Sequence, residues 1–217
     1  MSRAFDPFLY LVTDRDLAGA RGVAEVVRLA LDGGVTLVQL REKTFADEPF
    51  VEQACALREI CHARGVPLIV NDDIAVARQA NADGVHLGQS DASVQEARET
   101  LGPDAIIGLS VETIEQARIG AMLDIDYMAV SPVFVTSTKA DTAAPLGLEG
   151  VRTVRRLTEK PLVAIGGINI ANAADVLQAG ADGLAVISAI MAAADPCQVA
   201  RAFRRLRSAL TDPERGR

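Results

Sequence analysis

The sequence predicts a (β/α)8 barrel of the α/β class, and three observations predict it. Short apolar runs rich in β-branched residues alternate with longer helical patterns almost throughout the chain. Eight such pairs fill 217 residues at about 27 residues each, the size of one strand–helix unit. Two segments, NADGVHL (81–87) and GADGLAV (180–186), end a helix with small residues, turn through Asp-Gly and open a strand; DGGVTLV (32–38) is a looser third copy. Gly ends helices anywhere, but three copies in register point to a repeated unit. The competing arrangement, a doubly wound sheet, usually has fewer strands and often a Gly-rich turn after the first one.

The first strand candidate, FLYLV (8–12), runs into Val12-Thr13-Asp14-Arg15 with no such turn, and a helix is expected over 20–33. VTLVQL (35–40) and PLIV (67–70) follow as strands, with helices expected over 47–64 and 73–80. GVHL (84–87) precedes a helix over 92–101, and AIIGL (105–109) one over 112–121. DYMAV (126–130) leads into SPVFVTSTKADTAAPLG (131–147), the longest non-helical stretch, before a helix over 149–158. PLVAI (161–165) and GLAVI (183–187) complete the strands, with helices over 170–179 and 195–210. Residues 1–217 are thus read as one TIM-barrel domain, whose working face is the C-terminal end of the strands.

An apolar fraction of 49% and a charged fraction of 24% are ordinary for a soluble globular protein. Cys55, Cys61 and Cys197 are odd in number and lack metal-like spacing, which suits reduced thiols in a cytoplasmic protein. No apolar run reaches the roughly 18 residues that a membrane span needs. Met1–Pro7 has no basic segment followed by an apolar run, so no signal peptide is expected. A net charge of −7 argues against a nucleic-acid partner, and Arg201, Arg204, Arg205 and Arg207 read as a solvated helix face. A small anionic substrate needs only a few well-placed cations and stays open. So does association of the chain into a homo-oligomer.

The strand ends carry the chemistry. After the second strand, alternation places Gln39, Arg41 and Lys43 on one side and Leu40 and Glu42 on the other. A guanidinium fork and an ammonium together suit a phosphate or diphosphate; the competing reading is a solvated rim with Glu42 neutralising its neighbours. The third strand ends in Asn71-Asp72-Asp73 and the fourth in His86-Leu87-Gly88-Gln89-Ser90-Asp91. Asp72 and Asp91 on neighbouring strands fit the oxygen shell that Mg2+ prefers, and helix capping competes for each. His62 reads as surface decoration and His86 as a hydrogen-bonded structural residue. With no activated Ser or Cys, a nucleophilic triad is poorly supported. Ser110 is either a rim hydroxyl or a turn residue. Thr136, Ser137, Thr138 and Lys139 give the 131–147 stretch the composition of a polyanion-binding loop. Gly166-Gly167, Ile187 and Ser188 follow the last two strands, where barrels frequently bind phosphate through backbone N–H groups.

Taken together, YLVTDR, VQLREK, LIVNDD, GVHLGQSD, GLSV, SPVFVTSTK, GLEG, AIGGI and GLAVIS resemble the thiamine-phosphate synthase family over nearly the whole chain. That resemblance implies an enzyme that joins a hydroxymethylpyrimidine diphosphate to a thiazole phosphate, forming thiamine phosphate with release of pyrophosphate and the help of Mg2+. It implies that Gln39, Arg41, Lys43, Asn71 and Lys139 meet the pyrimidine diphosphate and that Asp72 and Asp91 hold Mg2+, which leaves Asp73 to cap the next helix. It also implies that Ser110 faces the pyrimidine, and that Thr136, Thr138, Gly167, Ile187 and Ser188 hold the thiazole phosphate. Arg41, Lys43, Ser110 and Lys139 would carry the catalysis. One position departs: where the family commonly has Pro, this chain has Val135, which frees φ in the loop. The rival readings are a thiazole tautomerase on a similar barrel, which needs no diphosphate or Mg2+ site, and a non-catalytic ligand-binding paralogue.

Overall fold

The structure is a computed structural model and describes residues 5–42, 47–136 and 143–211. Eight parallel strands close on themselves in sequence order: β1 (Leu9–Val12), β2 (Leu37–Leu40), β3 (Leu68–Asn71), β4 (Gly84–Leu87), β5 (Ile106–Val111), β6 (Tyr127–Val130), β7 (Leu162–Ile165) and β8 (Gly183–Val186). Closure is made by β8 on β1, with Leu9 opposite Leu184 and Leu11 opposite Val186. A closed ring leaves no unpaired edge, which all-parallel strands need.

The helices are α1 (Arg15–Ala18), α2 (Val23–Asp32), α3 (Asp47–His62), α4 (Ile74–Gln79), α5 (Val94–Leu101), α6 (Ile114–Ala121), α7 (Gly147–Arg155), α8 (Ala173–Gln178), α9 (Ser188–Met191) and α10 (Pro196–Thr211). The eight long helical patterns expected from sequence are all present, most of them shorter. Two short helices, α1 and α9, were not legible: four residues carry too little periodicity to register. α9 also corrects the expected strand over 183–187, because the strand ends at Val186 and Ser188 begins a helix. Among the described residues, no helix is long and apolar enough to cross a membrane.

Alternation divides the buried side chains into two sets. Residues such as Leu9, Leu11, Val38, Leu40, Val70 and Val85 point outward and pack against the helices. Tyr10, Val12, Leu37, Ile69, Ile106, Tyr127, Ala129, Val163 and Ala185 fill the inside.

The lower end of the barrel explains the Asp-Gly repeats. Asp83 precedes β4, and its side chain accepts the N–H of Leu68 at 2.9 Å, while its own N–H donates to the Leu68 carbonyl at 2.9 Å. Asp182 before β8 does the same to Leu162, and Asp126 before β6 to Ile107. Thr36 before β2 holds Leu9 in the same way through its hydroxyl. Each clasp staples an even-numbered strand to the odd one before it. The expected turn role for the glycines is corrected. A Cβ on Gly84 would stand 1.8 Å from the Ile106 carbonyl oxygen, and one on Gly183 2.0 Å from that of Pro7. Glycine is there because the neighbouring backbone leaves no room for a side chain.

His62 is also corrected. It is not decoration: its Nε2 lies 2.7 Å from Asp83, tying α3 to the clasp. Cys55, Cys61 and Cys197 are free thiols, with Cys61 fully buried.

Candidate active site

A cavity of about 600 Å³ opens at the C-terminal ends of the strands. Its floor is the upper part of the barrel interior, where Tyr10, Val12, Ala129, Val163 and Ala185 point up from inside. Of the sequence-predicted residues, Gln39, Arg41, Asn71, Asp72, Asp91, Ser110, Thr136, Gly167, Ile187 and Ser188 all line it. Lys43, Thr138 and Lys139 lie outside the described residues.

Thr13 after β1 is fully buried and holds the β2 end in place: its N–H reaches the Gln39 carbonyl at 2.9 Å, and its hydroxyl accepts the Arg41 N–H at 3.0 Å. Gln39 points inward and is buried; Arg41, two residues on, reaches the rim. Glu42 is bound by Arg15 of α1 at 2.9 Å.

At the end of β3 the backbone turns sharply. Asn71 still pairs with His86, but Asp72 has φ = 63°, a left-handed conformation that few residues other than Gly accept. Its N–H donates to the His86 carbonyl at 2.8 Å, and its carboxylate accepts from the Asn71 amide at 2.5 Å. Asp73 takes the capping role instead, accepting the Val76 N–H at 2.8 Å. Capping is equally absent from Asp91, because Ser93 caps α5 through the Glu96 N–H. Asp91 instead accepts the Gly88 N–H at 2.7 Å, which turns its carboxylate back toward Asp72.

The two acids meet at the cavity mouth. Burial in the cavity wall, and then the hydrogen-bonded and charged Asp91 carboxyl beside it, push Asp72 from 3.8 up to about 7; the Asn71 amide and the Arg41 guanidinium pull the other way. Two carboxylates in contact are unfavourable together unless they share a proton or a cation. Among the described residues, no third His, Cys, Asp or Glu joins them in a metal-like group.

Ser110 is a strand residue, opposite Ala129 on β6, so the turn alternative falls away. Its hydroxyl lies 2.8 Å from His86 Nε2, while its carbonyl accepts from Gln89 at 2.6 Å. His86 is buried and hydrogen-bonded as expected, yet it also lines the cavity. Tyr10, Tyr127 and Gln89 were not singled out from sequence. A usable signal existed in part: both tyrosines of the chain fall within strand candidates.

On the far side, the chain after β6 runs alongside β7. Val133 N–H donates to the Ile165 carbonyl at 2.8 Å and Phe134 N–H to that of Gly166 at 3.1 Å. The return limb is clasped to the same base by Leu146 N–H on the Pro132 carbonyl and Gly147 N–H on that of Val133. Gly166 and Gly167 have φ of 102° and 64°, and a Cβ on either would meet Pro132, Phe134 or Val135 within 2.9 Å. The pair thus seats this loop base, a demand separate from any close approach to a ligand.

The family described as thiamine monophosphate synthase matches residues 9–190. The chain is 56% identical over 198 residues to the thiamine-phosphate synthase of Albidiferax ferrireducens, covering 91% of this chain and 90% of that protein. It is 51% identical over 195 residues to that of a Psychrobacter species, covering 88% and 91%. Its fold superposes with a TM-score of 0.87 on the thiamine phosphate pyrophosphorylase of Pyrococcus furiosus, at 37% identity and covering 95% and 98% of the two chains.

Proposed function

The chain belongs to the thiamine monophosphate synthase family, and from that premise we propose how its cavity performs the family's reaction. It is a transferase that forms thiamine phosphate. In our reading the substrates are a hydroxymethylpyrimidine diphosphate and a thiazole phosphate, and pyrophosphate leaves.

One observation carries the reading: Asp72 and Asp91 face each other beside Arg41 at the mouth of the cavity. The donor set fits Mg2+, since two hard carboxylate oxygens in mutual repulsion are relieved by a divalent cation and leave positions for phosphate oxygens and water. When bound, Mg2+ would neutralise charge on the diphosphate leaving group.

The chain's own residues do the rest. Arg41 would grip the diphosphate with its fork, and Asn71 would stay beside it after giving its amide to Asp72. Lys43 and Lys139 are assigned to the same leaving group. Gln39 and Ser110 would hold the pyrimidine so that its methylene faces the thiazole nitrogen. Thr136, Thr138 and the backbone at Gly167, Ile187 and Ser188 would hold the thiazole phosphate. Departure of the leaving group creates a benzyl-like cation that the aminopyrimidine delocalises, and the thiazole nitrogen captures it. Holding both rings in contact supplies most of the advantage over solution. The 131–147 segment would exclude water, which otherwise traps the cation. A chain without disulfides suits work in the cytoplasm.

The test is pyrophosphate release from the purified protein. Release that requires both substrates and Mg2+ is the expected result. Isomerisation of the thiazole phosphate without pyrophosphate, or binding without turnover, overturns the reading.

A further inference from the structure

A polar chain crosses the apolar interior of the barrel, and its two ends are chemically unlike. Gln39 Nε2 lies 2.8 Å from Tyr10 Oη, Tyr10 Oη 2.7 Å from Tyr127 Oη, Tyr127 Oη 2.9 Å from His86 Nδ1, and His86 Nε2 2.8 Å from Ser110 Oγ. Tyr10 is 1% exposed and Tyr127 fully buried. The phenols meet edge to face, and the His86 ring stacks on Tyr127 with centroids 5.5 Å apart. Space for this arrangement is reserved from the neighbouring strand: a Cβ on Gly108 would stand 2.1 Å from Tyr127 Cζ.

The proton count gives the chain a direction. Burial pushes both phenol pKa values up, so each tyrosine keeps its proton and must place it. A carboxamide nitrogen donates and cannot accept. Tyr10 therefore accepts from Gln39 and gives its own proton to Tyr127; the opposite sense would strand the Tyr10 proton in the interior, which folded proteins avoid. By the same step, Tyr127 donates to His86 Nδ1. A neutral imidazole that accepts at Nδ1 carries its proton on Nε2, and that proton goes to Ser110 Oγ. The Ser110 proton is then left for the cavity.

We propose that Tyr10 and Tyr127 are positioning residues: with Gln39 as the donor end, they hold His86 as the Nε2–H tautomer and so make Ser110 a hydrogen-bond donor toward the substrate. A donor at that point selects an atom with an in-plane lone pair, such as a ring nitrogen of the aminopyrimidine, over an amino group. This choice of ligand atom rests on the pyrimidine reading of the cavity. The direction of the chain does not.

The decisive measurement is the 15N resonance pattern of the two histidine rings of the wild-type protein, assigned with a His62→Gln variant. His86 is expected neutral with the proton on Nε2. A proton on Nδ1, alone or in an imidazolium, overturns the proposal whatever the kinetics, and this test needs no altered barrel interior. Tyr127→Phe is then expected to raise KM for the pyrimidine diphosphate about tenfold, the loss of roughly one oriented hydrogen bond, with KM for the thiazole phosphate unchanged. Tyr10→Phe is expected to do the same more weakly, because Tyr127 still reaches Nδ1. Equal effects on both substrates would mean that the tyrosines only fill space, and would overturn the positioning role. A wild-type protein that releases no pyrophosphate would reject the pyrimidine reading, while the tautomer would still decide the direction of the chain.

Discussion

Asp72 is where backbone strain and charge fall on one residue. Its left-handed φ of 63° turns the carboxylate out of the strand direction and against Asp91, and burial, with Asp91 adding to it, raises its pKa to about 7. Strain held at a site of this kind commonly serves the site's chemistry rather than the fold. The sign of the linkage follows. A carboxyl raised in the fold favours the folded state while protonated, and that contribution is lost as pH rises from 3.8 through about 7. Asp72→Asn keeps a side chain that tolerates left-handed φ and removes only the charge. In metal-free buffer the variant should melt higher than the wild type near pH 8, and the gap should close toward about pH 4. Its turnover should fall on the order of a hundredfold or more, and Mg2+ should no longer raise its Tm. An unchanged Tm at the higher pH would remove the carboxyl pair as a source of strain. By pattern alone the run IVNDD left metal and capping open; the family resemblance put Asp73 at the cap, and the Val76 N–H on its carboxylate agrees.

At the scale of elements, the barrel is a ring of stapled strand pairs. Thr36, Asp83, Asp126 and Asp182 each bind the backbone of the preceding odd-numbered strand, and the acids are in turn held by His62, Arg98 and Arg155. Burial differs between them: the side chain of Asp126 is 8% exposed and that of Asp182 50%. Asp126→Ala leaves the Ile107 N–H without its acceptor and takes the carboxylate partner from Arg98 Nη2, and should cost about 2–4 kcal/mol in urea unfolding. Asp182→Ala, open to water, should cost about 1 kcal/mol or less. Equal losses would show that the clasp works through charge rather than through buried hydrogen bonding. Two of the four units were visible as Asp-Gly copies. Asp126 was hidden because Tyr127 follows it, and the third apparent copy aligned on Asp32 when the working residue is Thr36. The eye catches the glycine, whereas the function lies in the acceptor before it.

The whole molecule has an interior divided between a packed lower part and an open upper one, with the tyrosine chain at the boundary. Gly108→Ala tests how far that boundary is shared. β5 is paired on both sides, so its backbone cannot retreat, and Tyr127 must leave its place. The variant should lose about 2–4 kcal/mol and the near-UV signal of the two tyrosines together, and a smaller residue at 127 should restore part of the stability. Retention of the tyrosine signal would show that the interior yields elsewhere. By itself the sequence determined the βα alternation, the closed barrel, the end of the barrel that works and most of the rim residues. Those follow from periodicity and strand-end position, which backbone geometry writes into short stretches of chain. The meeting of Asp72 and Asp91 was expected from neighbouring strand ends, whereas the tertiary structure alone decided that Arg15 binds Glu42 and that Tyr10 and Tyr127 share a hydrogen bond across 117 positions of sequence. Such contacts depend on the stagger and curvature of the closed ring, and no local pattern records those.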